Sequence, residues 1–227
     1  MNVRLVSYSQ PTPEFANLGI TDAQELIAYC ARVSNPANQF NSETSERLIR
    51  YLVRHQHWSP LEMVSACMEI TTTRDIARQI LRHRSFSFQE FSQRYADPTK
   101  DLEFVTRSGR LQDPQNRQNS IENTNPAIEA WWQTMQSGVI QKAREAYEWA
   151  IANGIAKEQA RAVLPEGLIE SRLYMNGTLR SWIHFIELRS ANGTQLEHQA
   201  LARACAGAIA VIFPMAQDLV TNDKSKI

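Results

Sequence analysis

The chain has 227 residues, of which 43% are hydrophobic and 21% are charged. This composition is typical of a soluble globular chain and excludes an intrinsically disordered one, so we expect a single domain over residues 1–227. Lysine and arginine together number 24, as do aspartate and glutamate. The chain therefore lacks the basic excess that attracts a nucleic acid polymer, and any phosphate site must be local.

The first half of the chain predicts strands and helices in a mixed order. A strand is expected at residues 3–8, and Thr21-Asp22-Ala23-Gln24 resembles a capping box that opens a helix running to about residue 33. A second helix is expected over residues 42–55. Residues 64–71 alternate between apolar and polar side chains, which predicts a half-buried strand. Apolar residues then recur at helical spacing, and this third helix should carry Arg82 near its C-terminal end.

The second half predicts a long helix and a further strand. Residues 96–125 are rich in Asp, Asn, Gln and Pro, so we expect a mobile surface excursion with one candidate strand at 102–106. Asn125-Pro126 should open a helix that ends at Asn153-Gly154. The remaining expected elements are a short helix from Ala156 carrying Arg161, a strand at 168–175, a turn at Asn176-Gly177, a helix from Thr178 to Arg189, and a last helix from Gln195 to Phe213.

Strands and helices are mixed here without regular βαβ alternation, and no GxGxxG motif follows a strand. A doubly wound nucleotide-binding sheet is therefore disfavoured. The pattern predicts an α+β fold: a single domain with a mixed or antiparallel sheet flanked by helices, including a long helix in the second half.

Neither a secretory signal nor a membrane span is expected. The N-terminus lacks a long apolar run, and the most apolar later stretch, residues 200–216, is interrupted by Arg203. The three cysteines, Cys30, Cys67 and Cys205, are widely spaced and form no CxxC motif. They are typical of small buried side chains in a reducing cytoplasm.

The span from Arg74 to Arg94 is unusually basic. It contains five arginines and one histidine beside only two acids, Asp75 and Glu90. The planar guanidinium matches phosphate oxygens and the edges of heterocycles, so the cluster favours a nucleotide. The alternative is a solvated helix face whose last basic residues only stabilise the helix C-terminus. Polar and aromatic residues alternate after Arg84, which favours an extended segment that faces a ligand on one side and the core on the other.

At this point the sequence resembles a known family. Arg82-His83-Arg84, seven further residues and Ser92, in the stretch RHRSFSFQEFS, match the signature of flavin-dependent thymidylate synthases. Five other segments resemble that family in the expected order: ARVS at residues 31–34, HxHxSPxE at 55–62, ARQ at 77–79, ARxVLP at 160–165 and LRSWIHFIELR at 179–189.

The resemblance implies methylation of dUMP at C5. Methylenetetrahydrofolate would be the carbon donor, FAD the redox carrier and NADPH the reductant, with no protein nucleophile. It also implies a cytoplasmic homotetramer whose active sites are shared between subunits. Trp131 and Trp132 could be buried within the long helix or at a subunit contact.

The resemblance also assigns roles to residues. Arg189 would be catalytic, favouring the N3-ionised form of the uracil. The residues implied for dUMP are Gln79, Ile80, Leu81, Arg82, Glu90, Phe91, Ser92, Gln93, Arg94, Arg161 and Arg189. Those implied for FAD are Ser59, Arg82, His83, Arg84, Glu90, Thr178, Leu179, Arg180 and His184, with Ser34 a weaker candidate.

Two departures from the family pattern are present. Met63 stands where the family commonly has histidine, and Thr178 where it often has asparagine. These put the tuning of the flavin and one side-chain contact in doubt.

Other functions compete with this one. His55-Gln56-His57 resembles the HxH of some metallohydrolases, but no companion carboxylates stand at ligand spacing, so no metal is expected. His57 is better explained by the flavin environment, and His198 as a structural or surface residue. The rival functions are a non-catalytic nucleotide or RNA-binding module and a different NADPH-dependent flavin oxidoreductase.

Overall fold

The computed structural model describes residues 1–220, which fold around an antiparallel sheet. The strands are β1 (Asn2–Tyr8), β2 (Ser65–Thr73), β3 (Ser87–Glu90), β4 (Leu111–Gln112), β5 (Ser120–Ile121) and β6 (Glu170–Thr178). The helices are α1 (Pro13–Asn17), α2 (Ala23–Ala31), α3 (Ser45–Arg54), α4 (Arg74–Ile80), α5 (Pro98–Asp101), α6 (Pro126–Ala152), α7 (Lys157–Ala160), α8 (Leu179–Ser190) and α9 (Leu196–Ile209). Short 3-10 turns cover Pro36–Asn38, Ser59–Glu62, Arg161–Val163 and Pro214–Val220.

The main sheet has four antiparallel strands in the order β1-β2-β6-β3. Strand β2 lies inside it because its alternating apolar residues face the core, as the sequence predicts. Strand β1 carries a register shift between Leu5 and Ser7. A two-stranded hairpin of β4 and β5 stands apart from this sheet. The predicted α+β class, the antiparallel sheet and the long helix α6 are confirmed.

One face of the sheet packs against helices and forms the main core. Helix α8 packs on α9, and α9 packs on β1. The indole of Trp182 is fully buried at this interface, and its Nε1 donates a hydrogen bond to the carbonyl of Ala66 at 3.0 Å. This bond satisfies the one polar atom of the ring, so the tryptophan can fill the core without an unpaired donor.

A second cluster of buried apolar side chains joins α6 to the segment that runs from α7 to the start of β6. Tyr147 and Ala150 of α6 pack against Ala160, Leu164 and Ile169. The outer face of α6 remains exposed, since Trp131 is 65% and Trp132 44% exposed. The tryptophans are therefore not buried within the chain.

Several helix ends follow the predicted chemistry. The side chain of Asn125 caps α6 by accepting from the N–H of Ala127 at 3.0 Å. Gly154 has φ +78°, a left-handed conformation that favours glycine and ends the helix. Thr178 caps α8 by accepting from the N–H of Ser181 at 3.3 Å.

The predicted capping box is wrong by one residue. The carboxylate of Asp22, not the hydroxyl of Thr21, accepts from the N–H of Glu25 at 2.8 Å. The carboxylate of Glu25 accepts in turn from the N–H of Thr21 at 2.6 Å. The box runs from Asp22 to Glu25 because this pair places a carboxylate at both the cap and the third helical position.

The predicted turn at Asn176-Gly177 is also wrong, because both residues continue β6. Asn176 pairs with β2 and β3, and Gly177 pairs with β2. Glycine is required there for another reason: a Cβ on Gly177 would stand 2.4 Å from Cδ1 of Phe86. Pairing on both sides of the strand overrides the local turn signal.

Other boundaries differ by a few residues. The helix predicted to carry Arg82 ends at Ile80, because the N–H of His83 bonds back to Ile80 at 3.0 Å and tightens the turn. The second helix begins at Ser45 rather than 42, since Ser42 instead forms a turn with Ser45. The last helix ends at Ile209 rather than Phe213, because Ile209 accepts from both Ile212 and Phe213 in a tighter final turn.

The segment over residues 96–125 is tied to the body at Arg107. Its guanidinium lies 2.6 Å from the carboxylate of Asp75, and the amide of Gln136 bonds both its backbone N–H and C=O at 2.8 Å. The strand predicted at 102–106 reduces to a single bridge between Phe104 and Ile169. The mobility of this segment stays a prediction.

Burial separates the three cysteines. Cys205 is buried as predicted, whereas Cys30 and Cys67 are only half-buried. All three are free thiols. None of the helices within residues 1–220 is both long and apolar enough to cross a bilayer.

Candidate functional site

The basic signature lies in the turn that follows α4, beside the last turn of α8. Arg82 and Arg84 are exposed there, and His83 is half-buried with its ring 5.0 Å from that of Phe185. Nε of Arg189 donates a hydrogen bond to Nε2 of His83 at 2.9 Å. The fold thus brings together two basic residues that are far apart in the sequence.

Burial and this contact together keep the histidine neutral. Burial, and then the positive charge of Arg189, lower the pKa of His83 from 6.5 to about 4. His83 is therefore neutral at pH 7, and its Nε2 can accept the bond from Arg189. Burial and the nearby Arg82 lower the pKa of Arg189 as well. Arg189 remains a cation that is partly withdrawn from water.

A chain of amides stands next to this pair. Nε2 of Gln79 donates to Oε1 of Gln195 at 2.9 Å, and Oε1 of Gln79 lies 3.1 Å from Nδ1 of His198. His198 is 0% exposed, so its interpretation as a surface residue is wrong. Burial, followed by the charge of Arg189, lowers the pKa of His198 to about 4.

Glu90 sits at the end of β3 in a cluster of basic groups. Its carboxylate accepts from the hydroxyl of Ser171 at 2.8 Å and lies 3.6 Å from Arg74 and 3.4 Å from Arg78. Arg74 is buried and also pairs with Glu166 at 3.3 Å. The acid is therefore held in one orientation by protein partners.

The N-terminal end of α8 borders a cavity of about 370 Å³. Arg180 forms an ion pair with Glu62, and the hydroxyl of Ser181 donates to the carbonyl of Ser85 at 3.2 Å. We call this space the α8 cavity; its lining residues are Glu62, Ser85, Thr178, Arg180, Ser181 and His184.

The neighbours of the α8 cavity are also defined. The ring of His184 lies edge-on to Trp58 at 4.6 Å. Ser59 begins the 3-10 turn that carries Glu62, while Met63 at its end is exposed. Thr178 uses its side chain to cap α8, so the threonine that replaces the family's asparagine has a structural contact.

Arg94 and Arg161 come together through Glu158. Arg94 forms an ion pair with the Glu158 carboxylate at 3.4 Å, and Nε of Arg161 donates to the Glu158 carbonyl at 3.3 Å. Ser92 accepts from the N–H of Arg94 at 3.4 Å. Gln93 is buried, and its Nε2 has no hydrogen-bond partner among residues 1–220.

The predicted residues therefore fall into separate groups. Arg82, His83, Gln79 and Arg189 lie around the end of α4, and Thr178, Arg180 and His184 border the α8 cavity. Arg94 and Arg161 form a third group. Ile80 and Leu179 are buried in the core, whereas Ser34 is exposed and makes no contact with these groups that the structure describes.

Sequence reasoning missed Gln195 and Glu62 and underrated His198. Each contacts a predicted site residue only through the fold, across separations of 116, 118 and 119 residues. Glu62 ends the HxHxSPxE segment, but no local spacing indicated its contact with Arg180, and none indicated Gln195 or the contact of His198. Within residues 1–220, no three His, Cys, Asp or Glu side chains gather as a metal site.

Comparisons with known proteins agree on one family. A family model described as thymidylate synthase complementing protein matches residues 18–215. A probable flavin-dependent thymidylate synthase of Paramecium bursaria Chlorella virus 1 is 46% identical over 94% of this chain and 96% of that protein. A flavin-dependent thymidylate synthase of Synechocystis is 45% identical with the same coverage.

A solved structure is similar over nearly the whole chain. It is the UMP/dUMP methylase PolB from Streptomyces cacaoi bound with 5-Br dUMP, at a TM-score of 0.77 and 26% identity. The match covers 97% of this chain and 94% of that one.

Proposed function

Since this chain belongs to the flavin-dependent thymidylate synthase family and is an enzyme, we propose that it converts dUMP to dTMP with methylenetetrahydrofolate, FAD and NADPH. Methylenetetrahydrofolate supplies the carbon, and NADPH supplies the reducing equivalents. The flavin, when bound, carries the hydride between NADPH and the product. The chain's own residues bind and orient the substrates and stabilise charge.

The observation that carries this proposal is the contact between Arg189 and His83 at 2.9 Å. A solvated helix end would leave the signature arginines and histidine without a distant partner. Here the cation of Arg189 meets the signature across 106 residues. This distant contact supports a functional site at the signature.

Arg189 is the proposed catalytic residue. It is half-buried, and its Nε is already committed to a neutral histidine. The two terminal NH₂ groups of the guanidinium remain available to the edge of the uracil, where negative charge develops as C5 attacks its electrophile. A fixed, partly desolvated cation stabilises such charge more strongly than water does.

The α8 cavity fits part of a flavin nucleotide. The hydroxyl groups of Ser85 and Thr178 and the guanidinium of Arg180 supply donors for phosphate or ring oxygens. Glu62 offsets part of the charge of Arg180. We assign Ser59, Arg82, His83, Arg84, Glu90, Leu179 and His184 to the same cofactor.

The pair Arg94 and Arg161 is proposed to bind the phosphate of dUMP. Both guanidinium groups lie near Glu158, and an entering phosphate would replace its carboxylate as the partner of Arg94. Beside this pair, the residues proposed for dUMP are Gln79, Ile80, Leu81, Arg82, Glu90, Phe91, Ser92 and Gln93.

The separation of these groups supports shared active sites. Ser171, which holds Glu90, and Thr178, which borders the α8 cavity, lie near opposite ends of β6, and the rise of a strand puts them about 23 Å apart. Glu90 is proposed to contact both ligands, so a cavity from another subunit would have to meet it. We propose a cytoplasmic homotetramer of single-domain chains, with the exposed tryptophans of α6 at a subunit contact.

Flavin binding followed by isotope release tests the activity. The purified protein should take up FAD and turn yellow, and it should release tritium from C5-labelled dUMP only when folate and NADPH are present. A protein that binds no flavin would be a nucleotide-binding module instead. Active flavin without tritium release would make it a different NADPH-dependent oxidoreductase.

Arg161→Ala tests the nucleotide assignment. It should raise the KM for dUMP by about tenfold or more while FAD binding is kept, because a charge-assisted hydrogen bond to phosphate is lost. Arg47→Ala removes an exposed arginine elsewhere and serves as the control. Parallel loss of both ligands in Arg161→Ala would contradict the assignment.

Mixing two impaired variants at a dUMP concentration well below the wild-type KM tests the shared site. Under that condition Arg161→Ala and Arg189→Ala subunits, unfolded and refolded together, should regain part of the activity that each has lost on its own. Mixed assemblies without any recovery would place both residues in a site built by one chain.

A further inference from the structure

A continuous chain of side chains leads from the β4–β5 hairpin to Gln79. Arg110 pairs with Glu197 at 2.8 Å, and Glu197 accepts from Nε2 of Gln195 at 2.9 Å. Gln195 accepts from Gln79 at 2.9 Å, and Gln79 stands 3.1 Å from Nδ1 of His198. We call Glu197, Gln195, Gln79 and His198 the amide relay.

The direction of every hydrogen bond in the relay follows from its acidic end. Burial acts to raise the pKa of Glu197, but Arg110, its own backbone N–H and Gln195 together hold it at about 2. An ionised carboxylate only accepts hydrogen bonds, so Gln195 must turn its NH₂ group towards Glu197. Its oxygen then faces Gln79, which must present an NH₂ group in turn.

The same logic fixes His198 at the other end. The oxygen of Gln79 faces Nδ1 of His198, so that nitrogen carries the proton. Nε2 of His198 is then a bare acceptor, and it has no hydrogen-bond partner among residues 1–220. An amide is ordinarily free to exchange its oxygen and nitrogen positions. In Gln79 both positions are set by neighbours.

We propose that Glu197, Gln195 and His198 are positioning residues that lock the amide of Gln79 and so make the nucleotide site select uracil over cytosine. This inference rests on the proposed binding of dUMP by Gln79. An amide has two N–H groups and two acceptor lone pairs, and the relay uses one of each. One N–H and one lone pair therefore remain for a base, in a fixed order.

That fixed order matters because uracil and cytosine present opposite hydrogen-bonding patterns. At C4, uracil offers an acceptor, O4, whether its N3 is protonated or ionised, whereas cytosine offers a donor, N4. Neutral uracil also offers a donor at N3, where cytosine has an acceptor. An amide that could turn over would match either base. A locked amide forms hydrogen bonds with one base, whereas with the other base a donor faces a donor or an acceptor faces an acceptor.

Glu197→Gln is the most direct variant, because it keeps the shape and removes the obligate acceptor. The relay can then reverse, and the ratio of the dissociation constants of dCMP and dUMP should fall by about tenfold. Arg110→Gln breaks the same ion pair but leaves the carboxylate, so it should keep the wild-type ratio. Both variants are measured as FAD-loaded protein by equilibrium titration with each nucleotide.

His198 gives a second, independent pair. His198→Leu removes the donor to Gln79 and should lower the ratio, whereas His198→Asn places an amide N–H near the position of Nδ1 and should restore it. Thermal unfolding of each variant identifies those that fail to fold. Glu197, which is half-buried, keeps the proposal testable if the buried His198→Leu does not fold.

The outcomes separate this proposal from the proposed function. A wild-type protein that binds neither FAD nor dUMP would contradict the function itself. If wild type binds both and Glu197→Gln keeps the wild-type ratio, the lock is wrong while the function stands. Equal weakening of dUMP and dCMP would show that the relay only supports the fold.

Discussion

Gly177 lies in β6 directly under the ring of Phe86, and Gly177→Ala should strongly destabilise the protein. The added Cβ would stand 2.4 Å from Cδ1 and 2.7 Å from Cε1 of that ring. Ordinary carbon contacts are about 3.5–4.0 Å, so the ring must move by about 1 Å. It cannot move freely, because it is packed 4.8 Å from Trp182 and 6.1 Å from Phe185.

The magnitude follows from overpacking of a buried site. Forcing a side chain into a filled core costs about 1–3 kcal/mol, and a contact as short as this one belongs at the upper end, at about 3 kcal/mol. For a chain of this size that shift lowers the midpoint of thermal unfolding by about 6–12 °C. Phe86 is also 6.4 Å from His83, so displacement of the ring should disturb the signature turn.

Urea unfolding and FAD titration of Gly177→Ala measure both effects. Gly207→Ala is the matched control, since a Cβ there meets nothing within 4 Å, and it should stabilise α9 by up to about 1 kcal/mol. Phe86→Leu should make room, so the double variant should lose less stability than the two single losses added together. Strict additivity, or a Gly177→Ala protein as stable as wild type, would refute the steric reasoning.

Three further changes have defined outcomes. Arg189→Ala should lower turnover by about a hundredfold or more and unfolding free energy by only about 1 kcal/mol, and equal losses in kinetics and urea unfolding would argue against catalysis. Thr178→Val should lower the free energy of unfolding by about 1 kcal/mol, because it removes the side-chain cap of α8. An unchanged midpoint of urea unfolding would mean that this cap does not stabilise the protein. The pKa of His198 is about 4 in the folded protein and 6.5 in the unfolded chain, so on acidification the unfolded chain binds this proton first. The free energy of unfolding should therefore fall as the pH is lowered from about 6.5 to 4. His198 should account for about 3 kcal/mol of this loss of stability, and that part should be absent in His198→Asn. Identical pH profiles of stability for the wild type and the variant would contradict a buried neutral histidine.

The sequence predicted those features whose cause is local. The caps at Asn125 and Thr178 and the glycine stop at Gly154 depend on residues within a few positions of each helix end. The alternation in β2 depends on one buried face. Such signals are read directly from neighbouring residues, and the structure confirms them.

Features that depend on residues far apart in the sequence were not predicted. Asn176-Gly177 carries a turn signal, but pairing with β2 and β3 decides its conformation. The partners of Gln79 come from α9 and the residue before it, more than a hundred positions away. The signature therefore located the candidate site, whereas the groups that orient its side chains became visible only in three dimensions.

The register shift in β1 bears on how the protein behaves in concentrated solution. Strand β1 is an outer strand of the sheet, and the outer side of such a strand can pair with another chain and seed aggregates. The register shift between Leu5 and Ser7 interrupts the even spacing of the N–H and C=O groups of this strand. Straightening that strand would create a continuous template for aggregation without altering any residue of the candidate site.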